Sequence, residues 1–171
     1  AKDRGAMPTE KDAIHGFTCG GTPLIYGVAA CVGNGYRQDD FVKRLQAHLD
    51  LLVWRLEADG YLLDRFYRQS APPPGQERIY DLFFRDAMMK FYGHSFEILS
   101  YVKRKRLFTP TADQAHAIER AGATLAQAVK GIEEVDLFEV RKTNLHLFHL
   151  LVGDACHAYH GIRMAPGVNQ I

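Results

Sequence analysis

The chain has 171 residues, 21 Lys and Arg against 20 Asp and Glu, a net charge of +1 and a hydrophobic content of 47%. That length is enough for one domain with a real core, and the near-zero charge argues against a nucleic-acid or membrane-surface partner. No apolar run is long enough to span a bilayer, and three cysteines in a chain of this size point to reduced thiols, not to a disulfide framework.

The beginning, Ala1 to Pro8, carries no apolar targeting segment. Residues 1–11 are read as a flexible segment or remnant, residues 12–171 as a single all-helical domain, and a cytoplasmic location is the default expectation. The pattern of apolar residues is helical throughout, without convincing strand alternation. The fold class expected is therefore all-α, built of antiparallel helical hairpins.

The first chemical cluster precedes the first helix. Cys19 lies just ahead of a helix start at Thr22-Pro23, where free backbone N–H groups and the helix dipole favour a thiolate. Such a thiolate is a metal ligand or a nucleophile, with His15 as a candidate base. The helix then stops at Gly33-Asn34-Gly35, a sequence suited to a left-handed cap.

A second helix is expected from about Gln38 to Asp59, with Phe41, Leu45, Leu49, Leu52 and Leu56 on one face and Gly60 as its end. Ser70 to Gly75 contains three prolines and reads as a loop. The third helix, to Arg104, has the polar stripe Asp86, Lys90, His94, Glu97 and Tyr101. His94 and Glu97 are three residues apart, so they share a face; Asp86 and Lys90 read as an ion pair one turn apart. Lys103 to Arg106 could touch phosphate, but basic residues at a helix end serve the dipole first. A fourth helix opens at Thr109-Pro110 or at Thr111, with Gln114 as capping partner, and runs on an alanine-rich pattern to about Gly131. A turn over residues 132–140 follows.

The final helix is the strongest lead. Between Thr143 and Ile162 stand four histidines, a cysteine and an aspartate, with a single formally charged side chain. His146, His149, Gly153, His157 and His160 form one stripe, and Phe148, Leu151, Val152, Ala155, Tyr159 and Ile162 another, both expected to be covered. The pairs His146/His149 and His157/His160 each have metal-ligand spacing, but they are about 16 Å apart along the axis and serve no common ion. Asp154, one turn before His157, is placed to support its ring. A plain polar seam satisfied by neighbours is the alternative.

Gly16-Phe17-Thr18-Cys19-Gly20-Gly21 resembles the glycine-rich starts of inner helices in α/α-toroid enzymes. Cys156-His157, followed by His160-Gly161, is similar to the adjacent Cys-His zinc ligands of lanthionine-cyclase-like proteins, with Cys19 in the place of their upstream Cys. Asp154-Ala155-Cys156 resembles the Asp-x-Cys zinc motif of protein prenyltransferase β-subunits. The resemblance implies a zinc site of Cys19, Cys156, His157 and His160 or a water, in part of a toroid-like array; by their helical spacing Asp154, His94 and Glu97 are expected around it. The expected function is a zinc-dependent thiol-activating or hydrolytic enzyme acting on a small-molecule or peptide ligand. A non-enzymatic interaction or ligand-binding domain with packing histidines is the alternative, and the oligomeric state stays open.

Overall fold

The computed structural model describes residues 22–164, and over them the chain is all-helical. Six helices follow one another: α1 Thr22–Gly33, α2 Asp39–Gln69, α3 Glu77–Arg104, α4 Ala112–Glu133, α5 Leu137–Thr143 and α6 Leu145–Met164. His15, Cys19 and the segment 1–11 lie outside the described residues. Among those described, no helix is long and apolar enough to cross a membrane.

The punctuation that separates the helices follows local chemistry. Past the end of α1, Gly35 sits at φ +102°, a conformation that favours glycine. Thr111 and Gln114 form a reciprocal capping box at the start of α4. Asp136 caps α5 by accepting from the Phe138 and Glu139 N–H groups at 3.0 and 3.1 Å, so the expected turn over 132–140 holds a short helix start. Asn144 opens α6 by accepting from the Leu147 N–H at 3.0 Å.

One expected boundary is wrong. Gly60 does not end α2, which runs on to Gln69. A Cβ at Gly60 would collide with the Tyr92 hydroxyl, and Tyr92 reaches past it to donate to the Leu56 carbonyl at 3.2 Å. The glycine admits a neighbouring ring instead of stopping the helix. Leu63, one of the next residues, is again buried.

Helix α3 is the centre of the molecule and packs against α1, α2, α4 and α6. Its apolar residues from Met88 to Val102 are buried almost without interruption. The Leu45/Leu49/Leu52/Leu56 face of α2 is buried as its spacing implies. Helix α4 presents Ala117, Ala121, Leu125, Ala128 and Ile132, whose small side chains let it lie close.

The closest crossing is between α3 and α6. A Cβ on Gly93 would lie 2.8 Å from the Ala158 backbone nitrogen, and one on Gly161 would lie 3.0 Å from the Gly93 carbonyl oxygen. The two backbones touch there, and only glycine permits it. Ser100 ties the pair by donating to the Gly161 carbonyl at 3.2 Å.

That crossing corrects the expected orientation of α6. Its buried residues are Leu147, Leu151, Asp154, Ala158, Gly161 and Ile162, a seam that keeps Leu151 and Ile162 of the apolar stripe read from the sequence, with Phe148 and Ala155 packed at its side, but is turned away from Val152 and Tyr159. Val152 and Tyr159 are 39% and 58% exposed, and His146 and His149 are exposed too. At 100° per residue, a rotation by less than one position is enough to turn one edge of a stripe into solvent.

Candidate metal centre

The α3–α6 crossing sets side chains of both helices side by side just beyond Gly93. From α3 come His94 and Glu97, one turn apart, and from α6 comes His157. One ligand atom from each of these three lies within 4.8 Å of the other two, which is the spacing a single ion can gather. His157 Nδ1 is 3.1 Å from both Glu97 carboxylate oxygens, and His94 Nδ1 is 3.6 Å from Glu97 Oε2. Ligands of a tetrahedral zinc stand roughly 3.3 Å from one another, so the three need little movement to close on an ion. The His94 and His157 rings lie with centroids 4.2 Å apart.

His160, one turn further along α6, is held by the same carboxylate, its Nδ1 2.9 Å from Glu97 Oε1. Glu97 is thus the hub of three imidazoles. Its burial would raise its pKa, but hydrogen bonds from His160 and His157 and the charges of His157 and His94 outweigh that and hold it below the usual carboxylate range. Burial, together with the nearby His157, pushes the His94 imidazole below its ordinary value, against the pull of Glu97 and Asp154. A neutral imidazole beside an ionised carboxylate is the protonation state that metal ligation requires.

The cluster forms one wall of a cavity of about 310 Å³, completed by Thr22, Pro23 and Tyr26 of α1 and Ile98 of α3. This is a volume for a small ligand. The lining combines three histidines and a carboxylate with an apolar surface of proline, tyrosine and isoleucine.

Towards the other end of the crossing, Asp154 does not support His157 as its spacing suggested. It is buried, and so is Asp86 of α3, which feels its charge. Burial and the Asp154 charge push Asp86 up to about 7, with Lys90 opposing, and burial raises Asp154 as well. Asp86 therefore meets a second buried carboxylate, with its Oδ1 left without a hydrogen-bond partner among the described residues, where a simple ion pair with Lys90 was expected.

The remaining sequence candidates divide as follows. Cys156 is exposed and is not among the residues that gather; it precedes His157 by one position and so points about 100° away from it. His157 joins a group in which His160 is a neighbour through Glu97, not a member. His94 and Glu97, expected around the site, stand within it. Their spacing on one face of a charge-poor helix was the available signal; what the sequence lacked was the register of α3 against α6. Cys19 and His15 lie outside the described residues.

No protein-family model, no curated protein and no solved structure matches this chain.

Proposed function

We propose that His94, Glu97 and His157 bind a divalent transition metal of the zinc type, and that this ion works as a Lewis acid on a small molecule or peptide end held in the adjoining cavity. The observation that carries the reading is the convergence of three ligand atoms, two imidazole and one carboxylate, from two helices locked together by backbone contact. Two imidazoles and a carboxylate with a further position open to ligand is a donor set suited to catalytic zinc. The chemistry such an ion would supply at the cavity wall is hydrolytic, by activating a water and polarising the group attacked. His160, hydrogen-bonded to Glu97 and lining the same cavity, stands ready to accept a proton.

The donor set differs from the thiolate set implied by the resemblance to toroid zinc enzymes, because Cys156 is exposed. A second reading also has an observation behind it. Glu97 already satisfies His157 and His160 by hydrogen bonds, so the cluster is stable without an ion and the cavity would serve as a plain ligand-binding site.

Zinc titration of metal-stripped protein, prepared without a metal-affinity tag, separates the two. One equivalent should bind, His157→Ala should weaken binding about a thousandfold, and Cys156→Ser should leave it unchanged. Cobalt(II) in place of zinc should show a four- or five-coordinate spectrum without thiolate charge transfer. Failure to bind one equivalent of zinc would remove the metal reading in favour of the ligand-binding one. Loss of binding in Cys156→Ser would restore a thiolate site.

A further inference from the structure

Helix α2 carries a second apolar face. Diametrically opposite its buried leucines, Ala47, Leu51, Trp54, Ala58 and Tyr61 recur at alternating steps of four and three residues, the heptad spacing of a helix that packs against another helix. None of these residues belongs to the core. Leu51 is 42%, Trp54 58% and Tyr61 64% exposed, although the helices that α2 packs on cover its other side completely. The same spacing extends to charged residues at both ends, Asp40 and Arg44 before the apolar stretch and Arg65 after it. The whole stripe is roughly 38 Å long at 1.5 Å per residue.

We infer that this stripe is a homodimer interface, on which α2 of a second copy of the chain packs antiparallel. Charge and size complementarity select the partner and its direction. In a parallel pair each residue would meet its own copy, setting Asp40 on Asp40, Arg44 on Arg44 and Arg65 on Arg65, and crowding Trp54 against Trp54. Antiparallel pairing centred between Leu51 and Trp54 reverses every one of these contacts. Leu51 then faces Trp54, Ala47 faces Ala58, Arg44 faces the Tyr61 ring as a cation over an aromatic, and Asp40 faces Arg65. The two-fold axis repeats each pairing, so both ends are closed by opposite charges. Asp40 is on the surface, its only ion-pair partner among the described residues being Arg44 at 3.2 Å in its own helix. Arg65 is exposed and forms no ion pair among the described residues.

Trp54 is the only tryptophan in the chain, so its fluorescence reports on this face alone. Sedimentation equilibrium of the full chain should give a mass twice 19.3 kDa, and Trp54 emission should shift to the red on dilution to the monomer. Trp54→Glu should return the mass to that of one chain with an unchanged circular dichroism spectrum, since the side chain takes no part in the core. Asp40→Arg should weaken association about tenfold, and adding Arg65→Asp to it should restore most of the loss. A monomer at all concentrations would overturn the inference, and so would a dimer indifferent to Trp54→Glu. Failure of the charge reversal to recover association would overturn the antiparallel register. If deletion of residues 1–21 alone reddened Trp54 emission in a monomeric protein, the stripe would belong to the chain's own N-terminal segment. None of these readouts depends on metal binding, so this inference and the zinc reading stand or fall separately.

Discussion

The two ends of the α3–α6 seam are built from the same materials and behave in opposite ways. On the near side of Gly93, Asp86 and Asp154 are sealed between the helices, 6% and 7% exposed, with the Lys90 charge only partly offsetting their burial. On the far side, His94, Glu97, His157 and His160 open onto a cavity. Sealing a pair of carboxylates without enough positive charge raises both their pKa values, because two neighbouring buried anions are costly. Opening a carboxylate to three imidazoles lets it stay ionised. Burial alone therefore does not decide what a polar group becomes; the partners that the crossing supplies do.

The two ends also answer pH with opposite signs. The raised pKa of Asp86 means that the native protein holds a proton that the unfolded chain has lost, so this end contributes less stability as pH rises towards 7 and above. The lowered pKa of His94 means that the unfolded chain takes up a proton first, so that end loses stability as pH falls through the histidine range. In the histidine range the two effects oppose and largely cancel.

Substitution at the crossing itself should break both ends at once, with the largest effect. Gly93→Ala drives a methyl group into the Ala158 backbone. It should cost about 2 kcal/mol despite the roughly 1 kcal/mol that alanine gains in an isolated helix. Thermal unfolding checks it, and a rise in melting temperature would show that the helices do not touch. Asp86→Asn should act at the sealed end alone: it replaces a buried titrating carboxyl by a neutral amide and removes its repulsion of Asp154. At pH 8 the variant should be more stable than the parent by about 1–2 kcal/mol, with the difference vanishing or reversing at pH 5. Urea unfolding at the two pH values decides this, and an equal effect at both would mean that the dyad does not titrate. The smallest effect belongs to Val152→Asp, which the sequence pattern alone would make severe. On the exposed side of α6 it should change stability by no more than about 0.5 kcal/mol; a collapse of the fold would return the seam to the orientation read from periodicity.

The stripe Asp86, Lys90, His94 and Glu97 was legible as one face of one helix, because residues three and four apart always share a face. The company of His157 with His160 was legible for the same reason. Illegible was the meeting of the two stripes, since nothing local in α3 specifies where α6 will cross it. Gly93 and Gly161 carried that information, but an isolated glycine in a helix reads as easily as a breaker. Gly60 was read in that way, and the reason for its presence is a tyrosine 32 residues further on.

By itself, then, the sequence determined the helical class, Thr111 with Gln114 as one of two starts for α4, the leucine face of α2 and the pool of titratable residues, all of which depend on spacings of four residues or fewer. The tertiary structure decided which carboxylate meets which imidazole, which face of α6 is buried, and that Cys156 points outward while Glu97 takes the centre. These outcomes follow from where two backbones can approach without a Cβ between them. That is a property of a pair of helices, and no single stretch of chain contains it.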